Sequence, residues 1–148
     1  MNEGMSYATE QDMEIRFGAA VLAQLCPPDA PDPEHAEGDG APSLAAALAD
    51  ATELIDSYAA ARYTVPLNPV PAPVRRWCCD IARWYLDRSR TDEAVRQGYE
   101  DALAGLRDMA RGTIVFQCEG VASKETVNGQ VDMSGPRRLF SMEGLRGY

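Results

Sequence analysis

The sequence predicts a mainly α fold, a small antiparallel helical bundle that carries an extended C-terminal arm. Three observations lead there. Apolar residues recur three and four apart through residues 43–63, 73–88 and 91–112, the spacing that puts them on one face of a helix. Pro and Gly punctuate the chain between those stretches. From Thr113 the helical period stops, and a polar segment with Gly120, Gly129 and Gly135 leads to an apolar, arginine-rich end. Residues 1–112 read as the bundle and residues 113–148 as the arm.

The elements follow in order. Thr9 is a good N-cap, and Asp12 sits where a capping box needs an acceptor, so a short helix carries Met13, Ile15 and Phe17 and stops at Gly18. A second short helix covers Ala19 to Leu25. Residues 26–42 hold five Pro and five acidic side chains with no apolar period, which makes them a long exposed loop. Ser43 caps the first long helix, whose stripe is Leu44, Leu48, Ala51, Ile55, Tyr58 and Arg62. Its end is expected near Tyr63, because Pro66 disfavours helix just before it. Thr64 to Ala72 is a Pro-rich connector.

Pro73 suits the first turn of the next helix, where a missing N–H costs little. Val74, Trp77, Cys78, Ile81, Trp84 or Tyr85, and Arg88 form its face. Thr91 is expected to cap the last long helix, with Asp92 and Glu93 where the helix dipole favours negative charge. Val95, Tyr99, Ala102, Leu106 and Met109 are its stripe, and Gly112 stops it after Arg107 and Arg111. Thr113–Cys118 is a β-prone hexamer, able to pair as a strand with a neighbouring subunit or to pack back on the bundle.

Charge narrows the function classes. The chain of 148 residues carries −9. Residues 1–112 hold all of it, with 19 acidic against 10 basic groups (10 − 19), while residues 113–148 have four of each. An acidic body is a poor generic binder of nucleic acid, which needs clustered Lys and Arg for phosphates. No apolar run is long enough to cross a bilayer, and Met1–Met5 has neither the basic nor the apolar region of a secretory signal, so the expected compartment is a cytoplasm and no membrane partner is expected. The four Cys (Cys26, Cys78, Cys79 and Cys118) show no C-x-x-C spacing and read as small, reduced hydrophobes.

Catalytic chemistry finds little support. The only His, His35, lies in the Pro/acidic loop, so a Ser-His-Asp arrangement would have its base in the least ordered region. Lys124 is the only Lys, and no P-loop is present. Asp29, Asp32, Glu34, Glu37 and Asp39 miss the order of an EF-hand calcium loop and read as a solvated loop. No catalytic residue, metal or cofactor is expected. Arg75, Arg76 and Arg83 with Trp77 and Trp84 suit base stacking and phosphate contact. The plainer alternative is that the two Trp fill a small core while Arg stems flank them, and it is preferred.

The last thirteen residues place Leu139, Phe140, Met142, Leu145 and Tyr148 among Arg137, Arg138 and Arg146. A tail that only had to stay solvated would be poor in such groups. Arg137, Arg138, Leu139, Phe140, Ser141, Leu145, Arg146 and Tyr148 are therefore the candidate contact residues, for a surface outside their own domain. The competing reading folds Leu139, Phe140 and Leu145 back onto their own bundle as a clasp.

Several stretches also resemble one known family. Tyr7–Met13 followed by Arg16-Phe17-Gly18 is similar to the opening of the Mu-like phage neck proteins. Leu48–Ala51, Ile55–Tyr58, Ala61–Tyr63 and Pro66-Leu67 match their central signature, and Val74–Arg76 with Cys79–Arg83 match the next. Pro136-Arg137, Phe140-Ser141 and Leu145–Tyr148 resemble their closing motif, while the acidic loop 26–42 departs from the pattern. The resemblance implies a virion structural protein of the head–tail connector, made in the bacterial host cytoplasm and located in the particle neck. It implies an adaptor ring, dodecameric like the portal above it, that continues the DNA channel without reading sequence. Its implied partners are further copies of itself, the portal protein and the next neck or tail-terminator protein. An acidic wall would leave DNA free to slide, since like charges repel. The alternatives are a stopper or tail-completion neck protein, a small DNA-binding regulator using the Arg/Trp helix, and an unrecognised hydrolase.

Overall fold

A computed structural model describes residues 5–27, 43–87, 89 and 91–116. Five helices account for most of them: α1 (Glu10–Phe17), α2 (Ala19–Leu25), α3 (Leu44–Ala59), α4 (Ala72–Leu86) and α5 (Glu93–Arg111). Among the described residues there is no strand. The fold is mainly α, as the periodicity predicts.

Local chemistry sets most of the helix ends. Thr9 and Asp12 form a complete capping box, each side chain accepting from the other's backbone N–H. Ser43 accepts from Ala46 N–H at 3.1 Å. Gly112 takes φ +81 in the left-handed region, which only Gly enters cheaply, and ends α5. Two ends differ from expectation. The N-cap of α5 is Asp92, not Thr91: its carboxylate accepts from Ala94 N–H at 2.9 Å, while the Thr91 hydroxyl instead meets Ser89 at 3.1 Å. An ionised carboxylate also interacts better with the dipole than a hydroxyl does. Helix α3 ends at Ala59 rather than near Tyr63, because Arg62 N–H bonds back to Ala59 at 3.0 Å in a tighter i→i+3 turn.

The long helices all pack on one another, α4 against both α3 and α5 and, less extensively, α3 against α5. Their directions follow from paired contacts. Arg62, just past α3, donates to the Arg111 carbonyl at the end of α5, so those two helices finish at the same end. Trp77, early in α4, lies against Gly105, late in α5. Trp84, late in α4, stacks on Tyr99 with centroids 5.2 Å apart, early in α5. Helix α4 therefore runs antiparallel to its neighbours. The core takes Leu48, Ala51 and Ile55 from the α3 stripe, Val74, Cys78 and Ile81 from the α4 stripe, and Ala102, Leu106 and Met109 from the α5 stripe. Ala82, outside the predicted face, is buried as well, while Tyr58, Trp77, Trp84 and Tyr85 are only half-buried. Helix α1 adds Met13 and α2 adds Leu22.

The N-terminal segment and the connector are tied to α3 by polar bonds. The buried phenol of Tyr7 donates to Asp56 and accepts the Leu67 N–H at 2.8 Å. Burial and the Asp56 carboxylate both push that phenol far above its usual pKa, so it stays a donor. Thr52 receives Tyr7 N–H at 3.2 Å. The Val65–Pro66 and Asn68–Pro69 peptides in the connector are cis.

One close approach carries a prediction. A Cβ at Gly105 would lie 2.4 Å from the Trp77 ring, which is itself packed edge-on to Phe116. Helix propensity alone favours Gly105→Ala by about 1 kcal/mol. Overpacking costs about 1–3 kcal/mol, and here it should win. Thermal melting is expected to show a lower Tm for Gly105→Ala, with altered tryptophan fluorescence. An unchanged or raised Tm would mean that Trp77 yields freely.

Candidate assembly surface

The candidate contact residues Arg137, Arg138, Leu139, Phe140, Ser141, Leu145, Arg146 and Tyr148 lie outside the described residues, as does the acidic loop except for Cys26 and Pro27. The β-prone hexamer is described only to Phe116. Thr113–Phe116 forms turn and irregular chain, with Thr113 N–H bonded to the Asp108 carbonyl at 2.9 Å and Phe116 N–H bonded to the Tyr63 hydroxyl at 3.2 Å. The chain thus stays on the bundle as far as Phe116.

The Arg/Trp helix is spent on internal packing. Trp77 sits between Gly105 and Phe116, and Trp84 lies flat on Tyr99. Arg83 folds over the Phe17 ring at 4.6 Å and stands 3.9 Å from Asp92. Arg76 lies 4.0 Å from Asp80. Trp77 is half-buried against the core and Trp84 lies outside it, so the two Trp flank the core rather than fill it, and with side chains already on them they make a poor base-stacking platform.

What sequence reading missed is the clamp joining α1 to α4. Arg16 reaches across 64 positions to hold Asp80 with two parallel bonds of 2.9 Å. Asp80 is only 11% exposed, and burial pushes its carboxyl up while Arg16 pulls it back. A carboxylate amid the apolar run Trp77–Leu86 was the signal, because a charge on a core face demands a partner. Around this clamp lies a cleft of about 210 Å³ lined by Phe17, Asp80, Arg83, Asp92, Val95 and Gly98. It contains both signs of charge, already paired with each other.

A second groove, of about 270 Å³, runs between the N-terminal segment, α3 and the connector. Met5, Ala49 and Pro66 give it apolar walls, and Thr52, Glu53 and Asp56 give it a polar side. Among the described residues of its lining there are carboxylates but no cation. Met5 is 66% exposed beside it, a large apolar group left facing water. Ile15 is another, 78% exposed on α1.

The remaining chemistry is sparse. Cys78 and Cys79 are buried, and burial pushes the Cys79 thiol up to about 12, so neither is a ready nucleophile. Among the described residues no group of His, Cys, Asp and Glu is placed to hold a metal ion, and no helix is long and apolar enough to cross a membrane.

Comparison with known proteins bears on what this surface serves. The family model described as "Bacteriophage Mu, Gp36" matches residues 7–134. The chain is 38% identical over 109 residues to "Mu-like prophage FluMu protein gp36" of Haemophilus influenzae, an alignment covering 73% of each. It is 36% identical over 110 residues to "Gene product J" of Escherichia phage Mu, covering 73% of this chain and 74% of that one.

Proposed function

This chain belongs to the bacteriophage Mu Gp36 family, and from that premise we propose that it is a non-catalytic structural protein of the phage particle, the adaptor of the head–tail connector. In this reading copies of the chain form a ring between the portal and the tail, and the ring continues the DNA channel. The observation that carries it is the family match over residues 7–134, which takes in the opening and central segments that resemble Mu-like neck proteins and ends before the closing motif at 136–148.

Physical features support it. A bundle this small buries a limited core, so contacts within a ring would add to its stability. Acidic groups such as Asp50, Glu53, Glu100 and Asp101 are exposed on α3 and α5. Turned inward, they would repel the phosphate backbone and keep the genome from sticking to the wall. The basic–apolar C-terminal segment would bind the portal or a neighbouring subunit. The regulator alternative loses ground because the Arg/Trp helix is already engaged within the bundle.

A phage unable to make the chain tests the proposal. It is expected to accumulate DNA-filled heads and finished tails that do not join, visible by electron microscopy, with joining restored by the chain supplied in trans. Normal particles from such a phage would contradict it.

A further inference from the structure

We propose that the groove bounded by Met5, Ala49, Glu53, Asp56 and Pro66 is the seat for the terminal segment Arg137–Tyr148 of a second copy of this chain. The inference rests on the ring assignment, and it chooses between the two surfaces that segment is offered there.

Charge decides between the two grooves of the bundle. The cleft around Asp80 has its carboxylates satisfied, since Asp80 is held by Arg16 and Asp92 faces Arg83. Arg83 would repel an arginine-rich segment. The groove at Met5 has no cation among the described residues of its lining. Glu53 is exposed with no cation partner among the described residues, and Asp56 accepts only from the neutral Tyr7 phenol. Three Arg against one Glu in the segment match that surplus of negative charge.

Apolar chemistry agrees. Met5 is among the most exposed large hydrophobic side chains described, and Ala49 and Pro66 continue the apolar wall. Leu139 and Phe140 follow directly on Arg137 and Arg138, so two cations and two large apolar groups arrive together. A groove of about 270 Å³ offers room for an apolar anchor, with the carboxylates at its rim for the arginines.

Reach is sufficient. The last described residue, Phe116, lies beside Trp77 and Tyr63, and Tyr63 is three residues in sequence from the Pro66 wall of the groove. About 20 residues separate Phe116 from Arg137, and extended chain covers about 3.3 Å per residue, roughly 65 Å in all. That is enough to cross to an adjacent copy of a domain this size.

Photo-cross-linking of the full chain tests the seat. Met5 is replaced by p-benzoylphenylalanine, and the protein is mixed with an equal amount of ¹⁵N-labelled, otherwise unsubstituted chain. After irradiation the expected product joins the Met5 position to the tryptic peptide Leu139–Arg146, with the two isotopes on opposite sides of the link. Arg137→Glu with Arg138→Glu in the labelled chain, where the linked tryptic peptide becomes residues 125–146, should cut the yield about tenfold, two repulsive contacts replacing two attractive ones. Adding Glu53→Arg to the photoreactive chain should recover much of that loss. Links confined to one isotope would overturn the second copy as donor, and links to other peptides, or none, would overturn the seat. If no such link forms in a chain that microscopy still finds as a ring in the neck, the seat fails and the adaptor assignment stands. A mixed-isotope link in a chain that never enters particles would support the seat and remove that assignment.

Discussion

Removing Pro136–Tyr148 is expected to leave the helix content of the chain nearly unchanged and to stop heads from joining tails. The described bundle explains the first half. The five described helices lie within residues 10–111 and share one core of buried side chains. The second half follows from repetition. Each copy in a ring would contribute one basic–apolar segment, and multivalent attachment of this kind gains on the order of 10²–10⁴-fold over a single contact. Infectious particles should fall by a similar factor. Circular dichroism of the truncated chain and a complementation assay read the two halves separately. A truncated chain that unfolds would show the segment to be a clasp on its own bundle, whereas one that complements fully would remove any role in joining.

The second large effect is expected in the core. Leu106 is wholly buried in α5, in the core it shares with α3 and α4. Leu106→Ala should cost about 2–5 kcal/mol, because the lost transfer energy is joined by a cavity that close-packed neighbours fill only in part. Domains of this size hold a total stability of about 5–15 kcal/mol, so the isolated variant should melt many degrees lower or fail to fold at 37 °C. Urea unfolding followed by circular dichroism measures it. A cost below about 1 kcal/mol would mean that α5 packs far more loosely than its burial indicates. Because a ring binds only folded chain, assembly should recover part of the loss, and the variant should be rescued at high protein concentration.

How legible the sequence was depends on the range of the interaction. Helix positions were set by neighbours within a few residues, so Thr9, Ser43, Pro73 and Gly112 marked real ends. The stripes Leu48–Ala51–Ile55 and Ala102–Leu106–Met109 marked the real core. Thr91 failed as a cap because two adjacent residues both had capping chemistry, and only the geometry chose Asp92. Ile15, one of the apolar residues the short helix carries, faces water because α1 turns one narrow face inward, which Met13 fills. The Arg16–Asp80 clamp and the Tyr7–Asp56–Leu67 network link residues 49 to 64 positions apart, and no local pattern announces such a pair. The groove at Met5 was invisible for the same reason, being assembled from three separate segments. The candidate contact residues themselves came from composition and from family resemblance, and they lie beyond the last described residue.

Imaging the intact neck of the particle, at a resolution that traces side chains, tests the central claim most directly. A ring of this chain should lie directly beneath the portal, with α3 or α5 carboxylates facing the DNA channel and residues 137–148 of each copy in contact with a neighbouring protein. A neck built without this chain, or a chain found only outside the virion, would contradict the account.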